Sequence, residues 1–460
     1  MPKTTSEELG NLPISKLLIK QSVPASIGIL VMSLNVLVDS IFVGNWIGPL
    51  AIAAISVVIP ITFFVSALGM AIGVGGASII SRALGADELE KAKRTFGNQI
   101  TLNLLLTLSM VVVGLTFADP LIRAFGGKGE IFDFAKPFYT IVFYGVPFLA
   151  LTMMLNIVIR SEGKPKYAMI GLIVPSIANL TLDYFFINVF DWGMEGAAWA
   201  TSISYFLSFS YLSYVFISNR SELKINWSHL KAKTPILKEI GSLGSVTLAR
   251  QAVVSLVVLI VNNILFGIGG EALIAVYAII SRMLMFSLFP VYGIAQGFLP
   301  IAGFNYGAKK YDRVKETVYT ALKYACILGS VVYACLFIFP VEIASLFLSS
   351  KEGLSAADTA MNAYVLEHIP SAMRWVFAAT PIIAIPLLGG AYFQAIGKAV
   401  PAMLLTLSRQ AFFFIPLVLV LPQFYGEMGV WISFAIGDVL ATIVTWWYLR
   451  REMKRTLEKR

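Results

Sequence analysis

Charged residues are scarce in this chain. Asp, Glu, Lys and Arg make up 13% of its 460 residues, 58% are hydrophobic, and the mean hydropathy is +0.79. A typical soluble domain carries about 25% charged residues, so this composition excludes an ordinary soluble protein. Apolar runs of about 20 residues recur along the whole chain, whereas the ten-residue alternation of a membrane β-barrel is missing. We therefore expect an all-α polytopic membrane protein.

Residues that commonly carry catalysis are also few. The chain has two His and two Cys, and Cys326 and Cys335 lie nine positions apart in one apolar run, which makes a disulfide between them implausible. The sequence contains no GxxxxGK[ST] phosphate loop, no HExxH zinc motif and no GxSxG nucleophile turn. We therefore expect no enzyme activity, no cofactor and no transport driven by ATP hydrolysis on this chain.

The apolar runs predict twelve membrane spans, six on each side of a polar stretch. The first six cover residues 21–46, 51–82, 96–118, 135–160, 167–189 and 196–218. The last six cover residues 240–266, 272–299, 316–349, 362–394, 398–420 and 429–449. This pattern divides the chain into an N-terminal six-helix bundle (1–218), a linker (219–239) and a C-terminal six-helix bundle (240–460).

Lys and Arg are unevenly distributed between the loops on the two sides of the membrane. The termini and the loops on the N-terminal side hold 26 of them, and the other side holds Arg123, Lys128, Lys136 and Lys351. Because basic loops stay in the cytoplasm, we expect both termini there, with the chain in a bacterial or archaeal cytoplasmic (inner) membrane. The same bias explains the net charge of +9, so no nucleic-acid partner is needed. The polar start predicts no cleavable signal peptide.

The two halves of the chain match weakly at a shift of 222 residues. The segments GADELEKAKRT and GAKKYDRVKET coincide after the second and eighth spans. At a slightly larger shift, the GK pairs at Gly163 and Gly397 close the fourth span of each half. Six spans per half give both halves the same orientation, so the repeat is parallel and surrounds a central cleft. This arrangement favours a transporter, although a channel or a membrane enzyme can also be duplicated.

Two carboxylates interrupt the apolar spans of the first half. Asp39 lies in IGILVMSLNVLVDSIFVG and Asp183 in IGLIVPSIANLTLDYFFI. A charge at the centre of a bilayer costs roughly 2.5–3.5 kcal/mol on insertion scales, and such residues usually mark an ion or substrate path. The equivalent positions of the second half are Val261 and a residue near Leu417. This asymmetry predicts that ion chemistry is confined to the first bundle.

Polar neighbours extend these two acids into a candidate site. Asn179 precedes Asp183 by four residues, as Asn35 precedes Asp39, and residues four apart share one helix face. Asn156 on the fourth span and Thr201 on the sixth are placed to approach from neighbouring helices. The alternative interpretation is that these groups only join helices through hydrogen bonds, and Asn35 fits that interpretation best.

Burial disfavours the charged form of a carboxyl, and a second acid nearby disfavours it further. A proton can then bind and leave near neutral pH. The same oxygens can instead coordinate Na⁺, through Asp39, Asp183, Asn179 and Thr201. Pro24 and Pro175 are hinge candidates, because a proline removes one backbone hydrogen bond of its helix.

The chain resembles the multidrug and toxic compound extrusion (MATE) transporters, in particular their DinF-like branch. The segments VDSIFVGNWIGPLAIAAISVVIP, SEGKPKYAM and IANLTLDYFF carry the resemblance, together with the 6+6 arrangement of spans. The resemblance implies two facing bundles that export cationic or amphipathic compounds in exchange for H⁺ or Na⁺. It also implies a pocket in the first bundle that contains Asp39, Asn156, Asn179, Asp183 and Thr201.

We accordingly expect a monomeric multidrug efflux antiporter. It would export small-molecule drugs in exchange for its coupling ion by alternating access to the two sides of the membrane. Its transmembrane surface contacts membrane lipid. The main alternative is a flippase for lipid-linked oligosaccharides, because such proteins share the duplicated architecture. A flippase needs a basic cavity for pyrophosphate, whereas the deepest charges predicted here are acids. A sensor or a channel would need no alternating access.

Overall fold

The computed structural model describes residues 6–218, 220–348 and 356–457. Every regular element in this part of the chain is helical, which confirms the predicted all-α class. Four basic residues that enter the orientation argument, Lys3, Lys351, Lys459 and Arg460, lie outside the described residues, as does the first residue of the predicted linker.

Six long helices and two short ones form the N-terminal half of the chain. They are α1 (Glu8–Asn11), α2 (Ile14–Trp46), α3 (Pro49–Gly85), α4 (Leu89–Thr116), α5 (Ala118–Ala124), α6 (Glu130–Ser161), α7 (Pro165–Asp183) and α8 (Gly193–Ile217). A π-helical turn, Tyr184–Val189, extends α7, and a 3₁₀ turn, Trp227–Leu230, follows α8. The long helices confirm the first six predicted spans.

The C-terminal half has more interruptions. Its helices are α9 (Thr234–Gly307), α10 (Tyr311–Ile338), α11 (Pro340–Ser345), α12 (Ala356–Val376), α13 (Ala384–Ala395), α14 (Ala399–Leu407), α15 (Ile415–Val420), α16 (Pro422–Tyr425) and α17 (Glu427–Leu457). A second π-helical turn, Ser408–Phe414, joins α14 to α15.

The 74 residues of α9 contain two predicted spans rather than one. The helix breaks at Gly269 and Gly270, and Gly270 has φ +64° and ψ −148°. A residue with a side chain would be strained in that conformation, whereas glycine adopts it freely. The break separates the predicted spans 240–266 and 272–299 and so agrees with the sequence analysis.

The predicted tenth span is not one continuous helix. Turns replace the helix over residues 377–383, between α12 and α13. Pro381 contributes to the interruption, because in a continuous helix its ring would clash with the carbonyl of Phe377 and it has no N–H to donate. Ten helices of the described residues are long and apolar enough to span a membrane. The second arm of α9 and the interrupted α12–α13 segment bring the number of spans to twelve.

The chain forms two compact units. The first comprises Met1–Leu248 with the short segments Leu299–Lys310 and Ala395–Gly397, and the second comprises Ala249–Phe298, Tyr311–Gln394 and Lys398–Arg460. Each unit has its own apolar core, centred on α3 and α6 in the first and on α9, α12 and α17 in the second. The bundle and linker boundaries at 218 and 240 rest on composition and stay a prediction.

Small residues allow helices of the first unit to approach closely. A Cβ atom on Gly69 of α3 would lie 2.4 Å from the carbonyl oxygen of Ala150 on α6. Gly73, one turn later, faces the backbone of Met154, one turn later on α6. The two helices therefore run in the same direction with their backbones in contact, as small residues permit between membrane helices.

A second backbone contact joins the end of α3 to the end of α9 within the first unit. A Cβ atom on Gly85 would lie 1.9 Å from the carbonyl oxygen of Phe304, and one on Gly307 would lie 2.0 Å from that of Arg82. The Arg82 guanidinium also donates a 2.8 Å hydrogen bond to Glu239, at the start of α9. We call this contact the α3–α9 junction. It leaves no room for a side chain at either glycine.

Candidate functional site

Helices α2 and α7 run side by side in the same direction and keep a constant register. Asn35 Nδ2 of α2 donates to Asn179 Oδ1 of α7 at 2.9 Å, and the two residues are 144 positions apart. Two turns earlier a Cβ atom on Gly28 would touch Leu172, again 144 positions away. The same face of each helix is therefore turned toward the other over at least two turns.

This register brings the two predicted acids together. Asp39 and Asp183 are also 144 positions apart, one turn beyond the asparagine pair, and each carboxyl lies within interaction distance of the other. Asp183 is fully buried, and neither of its oxygens accepts a hydrogen bond from any residue of the described chain. Asp39 is half-buried. The identical N-x-x-x-D spacing on two helices thus produces one paired site.

Two carboxylates that face each other with no donor between them are unstable as two negative charges. Two unit charges 4 Å apart repel by about 4 kcal/mol at an effective dielectric constant of 20. Asp183 has no N–H or O–H donor among the described residues to offset this repulsion. A cation bound between the two groups, either H⁺ or Na⁺, removes it. The pair is therefore suited to bind and release a cation.

Thr201 shares one face of α8 with Tyr205 and Ser208, which follow it by four and seven residues. Thr201 lies eight residues after the start of α8, about 12 Å along the helix. Asp183 lies six residues before Val189, where the preceding π-helical turn ends. The two residues are therefore at similar distances from the connection between α7 and α8. Tyr205, one turn after Thr201, has Asp39 as its charged neighbour. That Thr201 joins the acid pair stays a prediction. The sequence analysis missed Tyr205, although its spacing of four from Thr201 was a usable signal.

Asn156 is not brought to the acid pair. Its Nδ2 donates to the backbone carbonyl of Ala168 at 2.6 Å. Ala168 precedes Asp183 by 15 residues, about 22 Å along the helix. The prediction that Asn156 shares the pocket of Asp39 and Asp183 is therefore not supported by this geometry. Asn156 sits near the end of α6, just before the turn into α7, and so meets the beginning of α7 rather than its end.

The π-helical turn begins directly after Asp183. In a π-helix the hydrogen bonds run to the residue five positions back, and such turns frequently occur at functional sites. The residues of this turn, YFFINV, give no signal for it in the sequence. The change in helical pitch lies next to the buried acid.

Pro175, a predicted hinge, lies inside α7 two turns before Asp183. A proline leaves the carbonyl four residues earlier without its helical donor, and here that carbonyl belongs to Gly171. Ser208 Oγ of α8 donates to the Gly171 oxygen at 2.6 Å. The side chain on the neighbouring helix therefore replaces the hydrogen bond that the proline removes.

Replacing Ser208 by Ala is expected to leave the Gly171 carbonyl without a donor in a fully buried position. The protein should lose about 1 kcal/mol of stability, since hydrogen bonds between membrane helices average about 0.6 kcal/mol and reach about 1.7. Thermal unfolding of the purified variant measures this. Ser210→Ala is the control, because Ser210 is only half-buried and its hydroxyl bonds only within its own helix. Equal melting temperatures for the two variants would contradict the role of Ser208.

Pro24, the other hinge candidate, also lies inside a helix, since α2 continues through it. It lies 144 positions before Ala168, so the register between α2 and α7 places it opposite the carbonyl that Asn156 binds. Movement about Pro24 or Pro175 stays a prediction.

The SEGK turn between α6 and α7 encloses a buried ion pair. Glu162 is fully buried, and Lys164 Nζ lies 2.5 Å from one of its oxygens. The other oxygen accepts hydrogen bonds from Ser221 Oγ at 2.6 Å and from the Leu223 N–H at 3.1 Å. Burial raises the pKa of Glu162, while Lys164 and these donors act in the opposite direction. The turn is therefore held to the segment after α8.

In the second unit, the buried Asp438 is paired with an arginine. Asp438 of α17 accepts a 2.6 Å bond from Arg409 Nε, which lies in the second π-helical turn. Arg409 is therefore paired. Val261, the counterpart of Asp39, is fully buried in the apolar core of this unit. Within the described residues no group of three or more His, Cys, Asp or Glu side chains is placed to hold a metal ion.

Sequence comparison decides the family. The MatE family model matches residues 24–185 and 247–420, one match in each half of the chain. The chain belongs to the MatE family. Its members are transporters rather than enzymes, and their structures have twelve transmembrane helices in two repeats. The repeat and the paired acids described above are thus features of a MatE protein, and this one is a multi-pass membrane protein.

The relatives of this MatE protein cover nearly its whole length. The multidrug export protein MepA of Staphylococcus aureus (strain NCTC 8325 / PS 47) is 26% identical over 433 residues, which span 94% of this chain and 92% of MepA. MepA of Staphylococcus haemolyticus (strain JCSC1435) is 25% identical over 431 residues, with the same coverage of both chains.

Solved structures have the same fold. One is described as an outward-facing conformation of a multidrug resistance MATE family transporter of the MOP superfamily; it has a TM-score of 0.90 and 26% identity over 98% of both chains. Another is a MOP superfamily transporter from Pyrococcus furiosus, with a TM-score of 0.90 and 26% identity over 100% of both chains. Its description states that a reverse polarity of the binding pocket suggests a different function.

Proposed function

We propose that this protein is a secondary active antiporter that exports cationic or amphipathic drugs in exchange for H⁺ or Na⁺ by alternating access. The acid pair of Asp39 and Asp183 carries the proposal, because two facing carboxyls without a donor need a cation. The names of the relatives, multidrug export proteins and multidrug resistance transporters, support the drug as cargo.

In this mechanism the coupling cation enters from outside and binds between the two carboxyls. The neutralised pair no longer attracts a cationic drug, which leaves. Release of the coupling ion to the cytoplasm restores two negative groups, and these favour a cationic drug from the cytoplasm or the inner leaflet. Tyr205 has Asp39 as its charged neighbour, and the contact between Asn35 and Asn179 fixes the spacing of α2 and α7 one turn away.

The two coupling ions place different demands on this site. A proton shared between Asp39 and Asp183 needs no further ligand, since each carboxyl then acts as donor or acceptor to the other. A Na⁺ ion needs several oxygen ligands, for which Asn179 Oδ1 and the Thr201 hydroxyl are the available neighbours. No cofactor other than the coupling ion is proposed.

Energetics favour more than one charge per cycle. One charge that crosses 150 mV yields roughly 3.5 kcal/mol, and one pH unit yields about 1.4 kcal/mol. Exchange of one H⁺ for one monovalent drug cation moves no net charge and gains nothing from the potential. Two acids allow two H⁺ per drug, so we expect the transport rate to rise when a negative-inside potential is clamped across proteoliposomes. A rate that does not respond to the potential would contradict this stoichiometry.

The alternative, a flippase for lipid-linked oligosaccharides, requires a cavity that attracts pyrophosphate. The acid pair instead repels anions. For the Pyrococcus furiosus transporter, a reverse polarity of the binding pocket is described as suggesting a different function. We therefore use the sign of the pocket charge to separate the two proposals. The buried Arg409 is paired with Asp438, whereas the buried Arg160 at the end of α6 has two nitrogens without a hydrogen-bond partner among the described residues and lies away from the acid pair, near Asn156.

We propose that the protein is a monomer in the cytoplasmic (inner) membrane of a bacterium or archaeon. Both of its termini would lie in the cytoplasm. The distribution of Lys and Arg supports this orientation. The DinF-like branch also stays a proposal; the absence of an acid at Val261 supports it.

Efflux of a fluorescent cation from proteoliposomes tests the function, with the Na⁺ gradient and the pH gradient varied independently. Efflux driven by either gradient, together with counterflow of the same ion, is the expected result. Efflux that needs neither gradient, or transport of a lipid-linked sugar instead of the dye, would contradict antiport.

A further inference from the structure

A cavity of about 600 Å³ lies between α3, α4, α5 and α6 in the first unit. None of its lining residues belongs to α2, α7 or α8, so it is separate from the acid pair. Its volume falls within the roughly 300–1,000 Å³ of pockets that hold small ligands. The Phe143 ring from α6 closes one wall, and Gly114 of α4 provides the space for that ring, since a Cβ atom there would lie 2.0 Å from it.

The lining of this cavity suits hydrocarbon. Ser109 is the single polar side chain among its eleven lining residues, and its hydroxyl already donates to the Leu105 carbonyl of its own helix at 2.7 Å. Pockets that bind drugs combine apolar walls with a few polar groups that fix the ligand's orientation. This lining offers neither a charge for a cationic drug nor a free polar group, so an unbranched apolar chain fits it best.

The position of the cavity indicates that its opening faces lipid rather than water. Its rim is formed by Phe64, Val113 and Phe125, whose side chains are about half exposed. The first two lie on helices long and apolar enough to span a membrane, so their exposed faces meet lipid rather than water. The lining residues of α4 run from Leu106 to Gly114, eight residues or about 12 Å along the helix.

Charged residues near one end of the cavity mark the membrane surface. The lining of α4 stops two residues before the end of that helix. On α5, which follows directly, Arg123 stacks over the Phe132 ring at 4.5 Å, and Lys136 pairs with Asp119 at 3.1 Å. Aromatic and basic side chains concentrate at the interface between membrane and water. The cavity therefore begins where the acyl chains of one leaflet begin.

We propose that this cavity is a fixed binding site for one acyl chain of a membrane phospholipid. The chain enters between Phe64 and Val113 and lies against Phe143, with its headgroup at the level of α5. The site is independent of the coupling ion and of the exported drug. The bound phospholipid would be a structural lipid of the protein, with its acyl chain between α3 and α4.

Photo-crosslinking with a phosphatidylethanolamine that carries a diazirine in its acyl chain tests the site on the full-length protein in vesicles. Mass spectrometry of the crosslinked peptides is expected to identify the α3 and α4 segments that line the cavity. Ser109→Trp places a large ring in the cavity and should reduce these crosslinks several-fold. Ser210→Trp on α8 is the matched control, because Ser210 is also a serine bonded to the carbonyl four residues earlier and does not line the cavity.

Three outcomes would overturn the proposal. One is an equal yield at the cavity peptides in the parent, Ser109→Trp and Ser210→Trp proteins, as for lipid that covers the surface without a site. Another is loss of the crosslinks on addition of tetraphenylphosphonium, which would identify a drug site. The third is crosslinks that map elsewhere in the parent protein. If Ser109→Trp does not fold, Val113→Trp fills the same cavity and gives the same readings.

Discussion

Replacing Asp39 by Asn is expected to abolish exchange of drug for coupling ion while the protein stays folded. The amide keeps the size of the carboxyl but does not take up or release a proton at physiological pH, and it leaves Asp183 without its acidic partner. Because the substitution also removes the repulsion between two buried acids, the melting temperature should not fall. Dye efflux in proteoliposomes and thermal unfolding together measure both effects. Asp183→Asn is expected to act in the same way.

The control for this prediction is an acid outside the site. Asp133, exposed in the first turn of α6, should tolerate substitution by Asn with full efflux. Normal, gradient-driven exchange by Asp39→Asn would remove the acid pair from the mechanism. A fall in melting temperature without any effect on exchange would instead identify Asp39 as a structural residue.

Replacing Gly85 by Ala is expected to open the α3–α9 junction. A methyl group there would lie 1.9 Å from the Phe304 carbonyl oxygen, so one backbone must move. Overpacking of this kind costs about 1–3 kcal/mol, which corresponds to a roughly 5- to 150-fold change in an equilibrium. Ser81, fully buried beside Gly303, offers a reporter position. Ser81→Cys, in a background without the two native cysteines, should react faster with a water-soluble maleimide when Gly85→Ala is present.

Gly267→Ala is the matched control for the junction. It is also a helical glycine of α9, but a Cβ atom there meets nothing within 4 Å. It should leave the labelling rate unchanged and, by improving helix propensity, should stabilise the helix by up to about 1 kcal/mol. The same labelling rate in the Gly85 and Gly267 variants would show that the junction is loose enough to accept a side chain.

The sequence was sufficient for the spans and for the acids because both depend on local rules. Apolar runs of membrane length predict helices wherever no proline interrupts them, and an acid within such a run needs a partner. The equal N-x-x-x-D spacings placed two polar faces on two helices. Their meeting in register required the structure, because spacing within a helix carries no information about which helix lies beside it.

The failures of sequence reasoning have equally physical causes. Asn156 was grouped with the acids by residue type, although its distance from the following turn places it at another depth. The break in the tenth span contains Pro381, but α2 and α7 continue through Pro24 and Pro175, so a proline in an apolar run does not by itself predict a break. Asp438 and Arg409 are 29 residues apart, and Arg409 lies in a π-helical turn. The sequence around either residue therefore does not indicate that they pair.

The constant offset between α2 and α7 has a mechanical consequence. The amide contact and the acid pair lie on a single stripe of α2, so turning that helix by one residue position, about 100°, would withdraw both from α7 at the same time. Binding of the ion and packing of α2 against α7 are then coupled. A molecule that binds between the two helices and separates them should therefore release the bound ion without contacting either carboxyl.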